Sequence, residues 1–143
     1  MIKHPIGIFI SGRGSNLKSI VDACKKKEYP AEIKVVFSNN KNAPGLSFAK
    51  ENNLEAITLD YHNFKNTEEY EEKIISLLKP YDLELICLAG YMKILSKKLI
   101  DHYPNKIINI HPSLLPEYKG LYTHRRVLEN KETKTGCTVH YVN

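Results

Sequence analysis

The chain has 143 residues, 42% of them apolar, and a formal net charge of +5. One domain around one core is the expectation at that length. No apolar run approaches the roughly 20 residues that span a bilayer, the longest, 83–90, containing Glu84. The opening Met1-Ile2-Lys3-His4-Pro5 has neither an apolar signal core nor a small-residue cleavage site, so a cytoplasmic protein is expected. Cys24, Cys87 and Cys137 are odd in number and form no C-x-x-C pair, which argues against a disulfide framework or a zinc knuckle. The basic cluster Lys25–Lys27 has no interleaved aromatic residues and reads as a solvated helix end rather than a nucleic-acid surface. A mild positive charge favours anionic small molecules.

In chain order, Ile6–Ile10 is a short apolar run of the kind that forms a strand buried on both faces. Leu17, Ile20, Val21 and Cys24 then repeat at helical spacing, with Ser15 as the predicted N-cap. A second strand is predicted over 33–37 and a short helix over 44–51 with Pro44 in its first turn. A third strand follows at 56–59. The next helix is capped by Asn66 or Thr67, opens on Glu68, Glu69, Glu71 and Glu72, carries an apolar stripe of Tyr70, Ile74, Leu77 and Leu78, and ends at Lys79-Pro80. Strands at 85–89 and 106–110 flank a short helix that Ser96 caps and that runs to His102. A helix over 123–130 leads to a last strand at 136–142. Strands alternating with helices predict an α/β fold, a three-layer, doubly wound and mostly parallel sheet. Ligands of such sheets bind beyond the carboxyl ends of the strands, which directs attention to 11–16, 90–95 and 109–120.

Ser11-Gly12-Arg13-Gly14-Ser15-Asn16 joins the first strand to the first helix. Its glycines permit a tight turn and close backbone approach to a ligand, and the helix start behind it offers free N–H groups. The segment has no Gly-Lys-Ser/Thr and no third glycine, and no acidic residue ends the second strand, so nucleoside triphosphate and dinucleotide loops both fit poorly. A monophosphate fits better; the plainer alternative is a strand-to-helix turn that happens to be glycine-rich.

Asn109 and His111 alternate along the fifth strand, so they project from one face about 6–7 Å apart. An amide donor can stabilise an oxyanion, and an imidazole can move a proton or stabilise charge beside it. The turn Pro112-Ser113-Leu114-Leu115-Pro116 supplies rigid support.

Taken together, Ser-Gly-Arg-Gly-Ser-Asn-Leu at 11–17, Leu-Ala-Gly-Tyr-Met-Lys-Ile-Leu at 88–95, Asn-Ile-His-Pro-Ser-Leu-Leu-Pro at 109–116, Thr123-His124-Arg125 and Gly-Cys-Thr-Val-His at 136–140 resemble the folate-dependent phosphoribosylglycinamide formyltransferases. The resemblance implies transfer of a formyl group from 10-formyltetrahydrofolate to the amine of glycinamide ribonucleotide, in purine biosynthesis, by a monomer or homodimer with no metal, nicotinamide, nucleic-acid or membrane partner. It implies that Gly14, Ser15 and Asn16 hold the 5′-phosphate, and that Gly90, Met92, Ile110, His111 and Pro112 line the ribose and glycinamide. It places the backbone of Lys93 and Leu95 on the pterin, with His140 close by on the neighbouring strand. Asn109 then binds the oxyanion and His111 assists proton transfer. Lys93 departs from the more common arginine. The resemblance also implies a third catalytic residue, an aspartate a few residues beyond position 143, and a further strand and long helix. On that reading the chain is C-terminally incomplete and impaired by itself.

Other readings compete. A formyltetrahydrofolate deformylase carries an extra N-terminal regulatory domain, and a methionyl-tRNA formyltransferase lacks the Ser-Gly-x-Gly-Ser-Asn loop. A non-catalytic phosphate-binding module is a third possibility. A metal enzyme fits least, because His4, His62, His102, His111, His124 and His140 show no metal-binding spacing. His62 and His102 read as surface residues, and His124 as a local cap or packing residue.

Overall fold

The computed structural model describes residues 2–111 and 138–142; for His111 and 138–140 it describes placement in strands alone. The apolar run at 6–10 forms the buried end of strand β1, His4–Ile10. It starts two residues earlier than its hydrophobicity indicates, because His4 and Pro5 pair with Ala31 and Glu32 of β2, Ala31–Ser38. Between them lies α1, Ser15–Cys24, which buries Leu17 and Val21. Helix α2, Pro44–Glu51, has the bounds its sequence predicts, with proline in its first turn. Strand β3 is Ala56–Thr58, α3 is Thr67–Leu78, β4 is Leu85–Leu88, α4 is Lys97–His102, β5 is Ile107–His111 and β6 is Thr138–Tyr141.

These strands make one sheet in the order β3-β2-β1-β4-β5-β6. The first five are parallel, and β6 runs antiparallel to β5. The chain therefore winds outward from β1 to β3, then returns to β4 on the other side of β1. The reversal opens a crevice between β1 and β4, where ligands of such sheets bind.

Period-two alternation divides the core in two. Phe9, Val35, Phe37, Ile86, Leu88 and Ile107 face α3 and α4, meeting Tyr70, Ile74, Leu78 and Leu99. Ile8, Ile10, Val36 and Cys87 face α1 and α2, meeting Leu17, Val21, Leu46 and Ala49. This is the three-layer arrangement that the alternation of elements predicts. Three returns into strands use Asn53, Asp82 and Asn105 at φ of 59°, 51° and 58°, a left-handed conformation that Asn and Asp tolerate through local hydrogen bonding.

Several local expectations change. The N-cap of α1 is Gly14, not Ser15, which becomes the first helical residue. Asn66 caps α3, its side-chain oxygen accepting the Glu69 N–H at 2.9 Å. The buried stripe of α3 includes Glu71 and Ile75, and Leu77 is only half-buried. On a helical wheel Tyr70, Ile74, Glu71 and Ile75 span one continuous sector, and Leu77 lies at its margin. Strand β5 begins one residue later than predicted and takes in His111. The predicted helix over 123–130, the turn at 112–116 and Cys137 lie outside the described residues. Among the described residues no helix is long and apolar enough to cross a membrane.

Candidate active site

The sheet register sets the geometry at the carboxyl edge. Phe9 of β1 is level with Leu88 of β4, and Leu88 with Asn109 of β5. Two residues further along the chain come Ser11 and Gly90, just past the ends of β1 and β4, and His111, the last residue of β5. The glycine turn, the β4 loop and the end of β5 thus reach one edge, across adjacent strands spaced by about 4.8 Å. On the far side of β5, His140 of β6 stands directly across from Asn109, and Thr138 across from His111. Asn109 is half-buried. Pro112 lies outside the described residues, and Ile110 pairs with Val139.

At the first loop Gly14 adopts φ 70° and ψ 45°, and among the described residues no side chain caps α1. The first amides of a helix have no intrahelical acceptor, so this start presents N–H groups and a partial positive charge outward. Ser15 is exposed and Asn16 half-buried beside them. The turn is supported from behind by α2: the Gly45 N–H donates to the Gly12 carbonyl at 3.1 Å. A β-carbon at Gly45 would lie 2.4 Å from Ile10 Cδ1, 3.1 Å from the Gly12 carbonyl oxygen and 3.3 Å from that of Arg13. Sequence reasoning missed Gly45; only the packed loop shows how closely Ile10 and the backbone of the glycine turn press on it. Arg13 and Lys18 line a concavity of about 360 Å³ with Pro44, Ser47, Phe48 and Glu51, which places two cations beside the helix start.

The loop after β4 alternates like a strand. Gly90 opens it at φ 74°. Tyr91 turns inward, its ring 5.3 Å from Phe9 and 6.3 Å from Phe37. Burial foremost, then the neighbouring Tyr70 and Glu71, pushes the Tyr91 phenol far above its ordinary range. Lys93 also turns inward, its ammonium 3.3 Å from the centroid of the Tyr61 ring. Leu95 packs on the core. Met92 and Ile94 face out, Ile94 with 90% of its surface exposed. The loop therefore offers solvent an apolar face and its own backbone, while the Lys93 charge is engaged elsewhere.

Glu71 anchors the far end of this loop. Its carboxylate, 2% exposed, accepts the Ser96 N–H at 2.8 Å, the Ser96 hydroxyl and the Leu99 N–H at 3.0 Å. Ser96 precedes α4 as predicted, yet its hydroxyl does not cap the helix. A carboxylate from α3 does so across the gap. Among Glu68, Glu69, Glu71 and Glu72 only Glu71 falls within the sector of the helical wheel bounded by buried Tyr70 and Ile75, and that is the signal available in the sequence.

The arrangement defines a class: a doubly wound α/β domain with an uncapped helix start, an apolar loop and an Asn-x-His strand end gathered at the switch point. Comparison with known proteins agrees with that description. The formyl transferase family model matches residues 5–143. The phosphoribosylglycinamide formyltransferase of Escherichia coli K12 is 42% identical over 96% of this chain, and that of Haemophilus influenzae 44% identical over 96%. The chain spans 65% of the length of each. The crystal structure of glycinamide ribonucleotide transformylase 1 from Symbiobacterium toebii superposes with a TM-score of 0.92 at 37% identity, covering 99% of this chain and 66% of that one. The chain belongs to the formyl transferase family.

Proposed function

We propose that this chain supplies the nucleotide-binding and catalytic groups for transfer of a formyl group from 10-formyltetrahydrofolate to the primary amine of glycinamide ribonucleotide. The observation that carries the reading is the register row of Phe9, Leu88 and Asn109, which brings the glycine turn, the loop after β4 and the end of β5 to one sheet edge, next to a helix start that Gly14 leaves without a side-chain cap. An anion at Gly14, Ser15 and Asn16 is held by backbone amides and the helix dipole, which suits a 5′-phosphate. From there the ribose and glycinamide extend along Gly90, Met92, Ile110 and Pro112 toward Asn109 and His111. The exposed apolar face of the 92–95 loop suits a flat ring, with the Lys93 and Leu95 backbone available to its polar edge and His140 on the neighbouring strand.

In this reading the amine nitrogen bonds to the formyl carbon and the carbonyl oxygen takes up negative charge. The Asn109 amide donates a hydrogen bond to that oxyanion, where preorganised donors act most strongly. The intermediate collapses as the bond from formyl carbon to folate nitrogen breaks. His111 carries the proton lost by the amine toward the departing nitrogen, so atoms and charge balance. The products are formylglycinamide ribonucleotide and tetrahydrofolate.

His111→Ala in the full-length protein tests the assignment. Ribonucleotide affinity should stay within about twofold while transfer falls about 10²–10⁴-fold, the range for loss of a positioned acid–base group. Unchanged turnover would remove His111 from the reaction.

A further inference from the structure

Ser11 stands at the crevice between β1 and β4 and joins three strand-end loops. Its hydroxyl donates to Asn39 Oδ1 at 2.6 Å, in the loop after β2. The same oxygen accepts the Met92 N–H at 2.8 Å, in the loop after β4. Its carbonyl accepts from Asn40 Nδ2 at 3.4 Å. A hydroxyl has one hydrogen, and Asn39 takes it. The lone pairs of Ser11 are thereby aimed at Met92, giving a directed chain from Met92 N–H through Ser11 to Asn39. Such chains polarise and strengthen their members.

We propose that Ser11 is a positioning residue whose hydroxyl sets the spacing across the crevice between the anion-holding turn and the 92–95 loop. It spans that crevice by a direct side-chain contact between loops 81 residues apart. On one side, Ser11 leads into the turn that opens α1. On the other, Met92 begins the stretch that exposes its own side chain and that of Ile94. The anion end is independently fixed by α1 and by Gly45 of α2. Loss of the hydroxyl therefore releases the Met92 side rather than the anion side. The consequence for substrates rests on the formyl-transfer reading above, in which Met92 borders the ribose and glycinamide, the Lys93 and Leu95 backbone that follows it meets the pterin, and the phosphate is held separately at Gly14, Ser15 and Asn16.

The test uses Ser11→Ala, Ser11→Thr and Asn39→Ala in the full-length protein, with two readouts. The first is hydrogen exchange at the Met92 amide. The second is the pair of KM values, for the ribonucleotide and for 10-formyltetrahydrofolate. Ser11→Ala should speed Met92 exchange and raise the folate KM about fivefold, the equivalent of one ordinary hydrogen bond, while the KM of the ribonucleotide, still held at its phosphate by the Gly14–Asn16 turn, rises by less. Ser11→Thr keeps the hydroxyl and should restore both. Asn39→Ala leaves Ser11 in place and should shift both readouts in the same direction by less. A general loss of stability would lower the active fraction without splitting the two KM values. Unchanged Met92 exchange, or an unchanged ratio of the KM values, overturns the proposal. If the wild-type protein transfers no formyl group, the functional reading fails, and Met92 exchange alone decides whether the hydroxyl holds the loop.

Discussion

Removing the Glu71 carboxylate is the sharpest perturbation of the loop that shapes the crevice. In the native state it is 2% exposed and accepts three hydrogen bonds, from the Ser96 N–H, the Ser96 hydroxyl and the Leu99 N–H. Glu71→Ala leaves two backbone donors at the start of α4 without their acceptor. Hydrogen bonds to charged groups contribute about 1.5–3 kcal/mol each. The three act as one unit and are not additive, so a loss of about 3–5 kcal/mol is expected. That is a large part of the roughly 5–15 kcal/mol that stabilises a typical domain. At this chain length it lowers the melting temperature by about 10–20 °C. Glu71→Gln keeps the shape and one acceptor oxygen and should fall between. Thermal unfolding followed by circular dichroism reads the global effect, and hydrogen exchange at Ser96 and Leu99 reads the local one. An alanine variant that melts within about 2 °C of wild type would refute the reasoning, because a buried carboxylate with three partners could not then be organising α4.

Two further outcomes follow from packing and burial. Gly45→Ala should lower stability by about 1–2 kcal/mol through overpacking and weaken ribonucleotide binding, as judged by denaturant titration and calorimetry. Alanine in a helix otherwise gains up to about 1 kcal/mol, so a stabilised variant would show that the turn yields freely. Burial pushes the Cys87 thiol from its ordinary value of 9.0 up to about 11. The folded state then holds more protons than the unfolded state between pH 9 and 11, so this contribution is complete below pH 9 and is lost as pH rises through about 11. Cys87→Ala should flatten the decline of stability across that window; an identical slope in the variant would contradict the assignment.

Much of this fold is legible because its signals are local. Pro44 fixes the start of α2, Asn66 caps α3, and the unbroken apolar run at 6–10 marks a central strand. The glycine turn and the loop after β4 are legible for the same reason, since each follows a readable strand. What the sequence leaves hidden depends on partners far along the chain. The extension of β1 to His4 needs β2, and the direction of β6 needs β5. Ser11 is joined to Asn39 and Met92 across 28 and 81 residues, and Glu71 to Ser96 and Leu99 across 25 and 28. Glu71 resembles its exposed neighbours Glu68, Glu69 and Glu72 in every local respect except its row on the helix. Gly14 displaces Ser15 as N-cap, in a left-handed conformation at φ 70° that glycine adopts without a steric cost.

The most direct measurement follows the fate of the one-carbon unit. Full-length protein is given glycinamide ribonucleotide and 10-formyltetrahydrofolate labelled at the formyl carbon, and the products are resolved. Label should appear on the ribonucleotide amine in step with tetrahydrofolate, and Asn109→Ala and His111→Ala should each suppress it. Label released as formate, or a ribonucleotide that binds and remains unlabelled, would contradict it.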